Sequence, residues 1–190
     1  MEKLLLVGAG GFGRVVLEHA SRAYDCAFVD DEYEIGAEIC GVKVVGNLSD
    51  IALLYPEYRF LSVTIGNTFL RDKIYPQAQE IGYEFPNILG CNVYISPYAH
   101  VGAGCVILNN VTIQNGSKVG NGAILNPGVE IHHDSQVDDF SLIYTNSVVR
   151  TYAKVGKRVK IGSNVSISNE AIVEDDSIIE DGAVITKDRR

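Results

Sequence analysis

From residue 95 onward, every sixth residue is aliphatic: Ile95, Val101, Ile107, Ile113, Val119, Leu125, Ile131, Val137, Ile143, Val149, Val155, Ile161, Ile167, Val173, Ile179 and Ile185. The residue two places earlier is always small or valine: Val93, Ala99, Cys105, Val111, Ser117, Ala123, Val129, Ser135, Ser141, Ser147, Ala153, Val159, Val165, Ala171, Ser177 and Ala183. Neither register breaks. A helix repeats every 3.6 residues and a simple strand every 2, so a sustained period of six belongs to neither. It describes a coil in which each hexapeptide supplies one short strand and one corner. Three hexapeptides make a triangular turn of about 18 residues, and the turns stack as a parallel β-solenoid. The aliphatic residues then form interior columns, and the small ones fit the crowded corners. Gly102, Gly120, Gly156 and Gly162 directly follow inward positions, where a close backbone benefits from having no side chain. At about 4.8 Å per stacked strand, about five turns give a prism about 24 Å long. Glu174, Asp175, Asp176, Glu180 and Asp181 near the last turn would discourage end-to-end stacking, while the flat faces stay open to side-by-side association.

The first 85 residues follow a different pattern. Lys3–Val7 reads as a buried strand that runs into Gly8-Ala9-Gly10-Gly11-Phe12-Gly13-Arg14. Val15, Val16 and Leu17 open a helix reaching about Tyr24, and Cys26–Val29 is a second strand ending in Asp30-Asp31. Ile39–Gly46 reads as a turn with short strands, Asn47 or Ser49 caps a helix through Ile51–Leu54, and Arg59–Ile65 is a further strand. Thr68–Gly82 reads as a helix interrupted at Pro76. Alternating strands and helices imply a small parallel α/β sheet of three or four strands. The expected organisation is a Rossmann-like α/β domain over 1–85, followed by a parallel β-helix over 86–190.

Composition removes several function classes. Lys plus Arg is 16 against 24 Asp plus Glu, a formal charge of −8, and no dense basic run precedes the last few residues, which argues against nucleic acid as a partner. No apolar run is long enough to span a membrane, and the N-terminus lacks the architecture of a signal peptide. Cys26, Cys40, Cys91 and Cys105 form neither a CxxC pair nor a disulfide grid, so reduced thiols and a cytoplasmic location are expected.

Two groups of residues carry chemistry. The glycines at 8, 10, 11 and 13 stand between a strand and a helix, where backbone N–H groups can face a phosphate, and Asp30 follows the second strand where a ribose-binding acid belongs. The other group is Ile131-His132-His133-Asp134. Neighbouring side chains on a short strand point to opposite sides, so the two rings do not share one task. One outward histidine beside a carboxylate can act as a general base. His100, His132 and His133 lack the spacing of a three-histidine zinc site, and no metal is expected.

Taken together, the glycine loop, Phe28-Val29-Asp30-Asp31, Gly41–Gly46, Ile65-Gly66-Asn67 with Arg71, Phe85-Pro86-Asn87, Pro97 with Ala99, Asn126, Gly128, and Ile131–Asp134 continuing to Asp139-Phe140 resemble the bacterial sugar O- and N-acetyltransferases. That family includes sialic acid O-acetyltransferases and the N-acetyltransferases of nucleotide-linked 4-amino-4,6-dideoxy sugars, within the hexapeptide-repeat acyltransferases. The resemblance implies that 1–85 is a nucleotide-sugar-binding domain and 86–190 a left-handed β-helix acyltransferase domain, and that the protein is a homotrimer with acetyl-CoA as acyl donor. It places the catalytic base at His133 with Asp134 as its partner, His132 standing where the family carries asparagine. It also implies an acceptor pocket from Gly10, Gly11, Phe12, Gly13, Asp30, Asp31, Gly66, Asn67 and Arg71, and donor contacts near Leu142, Thr151 and Tyr152. The expected activity is N-acetylation of a UDP- or dTDP-linked amino sugar. O-acetylation of sialic acid or another surface glycan is the alternative, and a non-catalytic nucleotide-sugar-binding trimer is the third reading. Four departures bear on specificity. Phe12 replaces the loop histidine, Leu142 a second histidine, and Thr151-Tyr152 a Gly-Gly pair, while Lys187-Asp188-Arg189-Arg190 carries no Gly-x-Pro-Ala segment.

Overall fold

The computed structural model describes residues 1–187, so Asp188, Arg189 and Arg190 of the sequence-level reading lie outside the described residues. The chain divides into two compact units, Met1–Ile88 and a second beginning at Leu89.

The first unit is built on β1 (Glu2–Val7), β2 (Tyr24–Val29), β3 (Glu38–Ile39), β4 (Val42–Gly46) and β5 (Phe60–Val63), in the order β3-β4-β2-β1-β5. All pairings are parallel except β3 with β4. Leu4, Leu5, Leu6 and Val7 are buried whichever way they point, which is why this continuous apolar run takes an interior position in the sheet. The helices α1 (Gly11–Ala20), α2 (Ile51–Leu54) and α3 (Thr68–Ile81) connect the strands.

Three expectations change: the sheet has five strands rather than three or four, because β3 and β4 add an antiparallel pair at its edge, and two helices differ. Helix α1 starts inside the glycine loop rather than at Val15: Gly10 is its extended N-cap (φ −64°, ψ −172°), and its carbonyl accepts from Arg14 N at 3.1 Å. It ends at Ala20, since Tyr24 is already paired with Glu2 in the sheet. Pro76 lies within α3 without interrupting it. Proline removes one helix donor, but Asn67 Oδ1 accepts from Leu70 N at 3.0 Å at the start, Gly82 closes the end at φ 115°, and Ile74, Tyr75 and Ala78 anchor the helix in the core.

The second unit is a left-handed parallel β-helix. Its strands are two residues long and form three sheets of six, five and six strands. Pairing joins residues one turn apart, as in Ile113 with Ile131 and Ile131 with Val149. The aliphatic register is the core: Ile107, Ile113, Val119, Leu125, Ile131, Ile143, Val149 and Ile161 are all fully buried. Serines in the small register stay satisfied. Ser141 Oγ donates to Gly156 O (2.7 Å) and accepts from Val159 N (3.1 Å), while Ser147 Oγ donates to Gly162 O (2.7 Å) and accepts from Val165 N (2.9 Å).

The corners explain the glycines. A Cβ at Gly102 would stand 2.7 Å from the backbone nitrogen of Asn121, and one at Gly120 would stand 2.6 Å from that of Asp139. Those same residues clamp successive coils: Asn121 Oδ1 accepts from Ala103 N at 2.9 Å, and Asp139 Oδ1 accepts from Asn121 N at 2.7 Å. No helix among the described residues is long and apolar enough to cross a membrane.

Candidate active site

In the first unit, the C-terminal ends of β1, β2 and β5 open into a cleft of about 420 Å³ lined by Gly8, Gly10, Gly11, Phe12, Asp30, Asp31, Glu32, Leu48, Thr64, Ile65, Gly66 and Leu70, with Val7 and Val29 at its base. The cleft sits where β1 is flanked by β2 on one side and β5 on the other, the crevice in which open α/β sheets bind ligands. Thr64 Oγ1 lies 2.8 Å from the carbonyl oxygens of both Val7 and Gly8 and holds the start of the loop. The first turn of α1 has no acidic residue and no capping side chain, so its backbone donors stay available to an anion.

The residues expected here separate into two groups. Gly10, Gly11, Phe12, Asp30, Asp31 and Gly66 line the cleft, whereas Gly13, Asn67 and Arg71 do not. Gly13 is a packing glycine, since a Cβ there would overlap the Gly8 carbonyl oxygen and lie 2.9 Å from its carbon. Asn67 caps α3. Arg71 is 1 % exposed, with its guanidinium donating to the carbonyl of Ile65 at 2.8 Å, so it shapes the Ile65-Gly66 turn from behind. Asp30 is engaged as well: Oδ2 accepts from Ala9 N at 2.7 Å and Oδ1 from Glu32 N at 2.8 Å, which ties β2 to the glycine loop. Asp31 Oδ1 accepts from Leu48 N at 2.8 Å. Leu48, Thr64 and Leu70 join the lining unannounced, because no motif marks them and only the sheet order brings them there.

In the second unit, His133 and Asp134 occupy one corner of the prism. Asp134 holds the left-handed conformation of that corner (φ 58°), and its N–H donates to Asn115 O in the coil before (3.0 Å). Gly116 makes room for the carboxylate, since a Cβ there would overlap Asp134 Oδ1. Gln114 Oε1 accepts from the His133 backbone N–H at 3.1 Å. With its backbone held, His133 places Nδ1 2.9 Å from Asp134 Oδ2 and Nε2 3.2 Å from Thr151 Oγ1. An ionised carboxylate only accepts, so in the neutral ring this contact assigns the proton to Nδ1 and leaves the lone pair on Nε2. The two side chains are 51 % and 47 % exposed, open enough for a substrate to reach. The Tyr152 ring meets the imidazole edge-on at 6.1 Å.

His132 points elsewhere, its Nε2 3.2 Å from Glu130 Oε2, so the two histidines are separately engaged. Thr151 and Tyr152 stack one coil after His133 and Asp134, and the spacing of one coil was the signal that could have joined them in advance, along with Gln114 and Gly116. Leu142 does not join this corner. It is 3 % exposed and belongs to the sheet of Ile124 and Lys160, the face opposite the corner. No cluster of His, Cys, Asp or Glu among the described residues could hold a metal ion.

Known proteins place both units. The family model described as the PglD N-terminal domain matches residues 3–78, and that described as the GMPPB C-terminal domain matches residues 89–185. No curated protein gives a significant match. Among solved structures, the chain is similar to a histidine-to-asparagine variant of perosamine N-acetyltransferase from Caulobacter crescentus, solved with CoA and GDP-perosamine. The TM-score is 0.94 at 25 % identity, covering 100 % of this chain and 90 % of that one. It is also similar to the acetyltransferase domain of PglB from Neisseria gonorrhoeae, with TM-score 0.93 and 28 % identity over 100 % of this chain and 94 % of that one. The same domain in complex with acetyl coenzyme A aligns with TM-score 0.86 at 28 % identity, covering 96 % and 95 %. With more than half of its length matched by the second family model, the chain belongs to the GMPPB C-terminal domain family.

Proposed function

We propose that the protein is an acetyl-CoA-dependent N-acetyltransferase acting on the amino group of a nucleotide-linked sugar of the 4-amino-4,6-dideoxy class, with His133 as general base. The observation that carries this reading is the His133–Asp134 pair: a carboxylate 2.9 Å from Nδ1 leaves Nε2 as the basic atom on an exposed corner. The likeness to a perosamine N-acetyltransferase solved with CoA and GDP-perosamine, and to an acetyltransferase domain solved with acetyl coenzyme A, supports the donor and the acceptor class.

In the first unit, the glycine-loop cleft takes the nucleotide, its diphosphate received by the backbone donors at the start of α1. In the second unit, Asp134 fixes the tautomer of His133 and steadies the imidazolium that forms. His133 Nε2 removes the proton that the acceptor amine loses as its nitrogen bonds to the acyl carbon, and returns a proton to the departing sulfur. Acetyl-CoA supplies an activated acyl carbon as a thioester. The protein works as a homotrimer in the cytoplasm, where acetyl-CoA and nucleotide sugars are made.

The test is thiol release from acetyl-CoA with a panel of UDP-, dTDP- and GDP-linked amino sugars, wild type beside His133→Ala. Acceptor-dependent release that disappears in the variant is the expected result. Release only with hydroxyl acceptors such as sialic acid would turn the reading to O-acetylation, and no release with any acceptor would turn it to a binding protein.

A further inference from the structure

Nε2 of His133 has a neighbour within its own chain. Thr151 Oγ1 lies 3.2 Å away, one coil on, while Asp134 holds the opposite nitrogen at 2.9 Å. The ring is therefore held at both ends, with the Tyr152 ring edge-on beside it at 6.1 Å. The sequence-level expectation put Thr151 among the contacts to the acyl donor. The geometry points instead to the base: we infer that Thr151 is a positioning residue for His133, an inference that rests on the reading of His133 as general base.

The chemistry of a hydroxyl suits this place. It donates to the lone pair of neutral Nε2, and after proton transfer it accepts from Nε2–H. One side chain thus holds the imidazole in both protonation states, which neither a methyl nor a backbone carbonyl does. Nε2 has a single lone pair, so the acceptor amine must displace the Thr151 proton to reach it. Between turnovers the hydroxyl keeps the ring aimed outward and its basic atom occupied. The corner stays in place whether or not this contact forms, because Asp134 N and Glu170 N bond to the carbonyls of Asn115 and Thr151.

Thr151→Val keeps the shape and removes the hydroxyl, and Thr151→Ser restores the hydroxyl on a smaller side chain. The expected result is a fall in kcat of about tenfold for Thr151→Val, with the KM for acetyl-CoA unchanged and most of the rate recovered in Thr151→Ser, the scale of one hydrogen bond orienting a base. An unchanged kcat, or a raised KM for acetyl-CoA with kcat intact, overturns the inference; the second result would return Thr151 to the donor site. The imidazole nitrogen resonances of His133 provide a readout that needs no turnover. Thr151→Val should move the Nε2 signal and Thr151→Ser should restore it, and an unmoved signal overturns the inference even if the protein transfers no acetyl group. Conversely, a moved signal without turnover in wild type would leave the contact standing and remove the base reading.

Discussion

Gly116 lies one coil before the His133–Asp134 corner, and replacing it with alanine separates the needs of the fold from those of the proposed site. Its φ is +70°, where an L side chain costs about 1–2 kcal/mol. The added Cβ would also overlap Asp134 Oδ1 and approach Asp134 Cγ to 3.3 Å, so the carboxylate must retreat by about 1 Å to reach ordinary contact. A carboxylate moves as one piece, so Oδ2 leaves its 2.9 Å bond to His133 Nδ1. Misplacement of about 1 Å at a catalytic group lowers rate by up to about a hundredfold, and kcat for acetyl transfer should fall by about ten- to a hundredfold. Gly122→Ala is the control. Gly122 is also left-handed (φ +60°) and would crowd the Phe140 ring at 2.6 Å, but it lies at a different corner. Both variants should lose comparable thermal stability, and only Gly116→Ala should lose kcat. Full activity in Gly116→Ala, or equal losses in both, would refute the argument that Gly116 exists to seat Asp134.

Three further outcomes are expected. Gly13→Ala would drive a Cβ into the backbone carbonyl of Gly8, which no rotamer relieves, and should cost about 2–3 kcal/mol, seen as faster hydrogen exchange across residues 1–88 with residues 95–187 unaffected. Ser141→Ala would strip partners from Gly156 O and Val159 N inside the prism and should cost about 2 kcal/mol in denaturant unfolding, whereas a change under about 0.5 kcal/mol would mean that neither group needs it. Burial, and then the charge of Arg22, push the pKa of His19 below its usual 6.5, against a smaller opposing pull from Glu18, and its Nδ1 has no hydrogen-bond partner among the described residues. The folded state disfavours the charged ring, so between the lowered folded pKa and the usual 6.5 the unfolded chain binds more protons. Its contribution to stability should be intact above about pH 6.5 and should decline as pH falls from there toward the lower folded pKa, and unfolding midpoints of His19→Leu should be flatter across that window.

The period of six was legible in the sequence because stacking repeats one physical demand at every strand: an aliphatic side chain inward, a small one at the corner. That demand is local, and it dictated the prism, its registers and the surface position of His133 beside Asp134. The strand, glycine loop and helix order likewise announced a parallel α/β unit with its cleft beside the glycine turn. The rest was decided by contacts that the pattern does not encode. Helix α3 runs through Pro76 because its caps and buried face outweigh one missing donor. Gly13 and Arg71 fit the expected pocket motif yet pack behind the cleft, while Asp30 lines the cleft and also ties β2 to the glycine loop.

By itself, then, the sequence determined which residues face inward and which corner bears the histidine and its carboxylate, since adjacency and period are properties of the chain. Only the tertiary structure decided that Thr151 meets Nε2 and that Gly116 clears space for Asp134. Those relations cross from one coil to the next, where the distance between two side chains depends on how the turns stack.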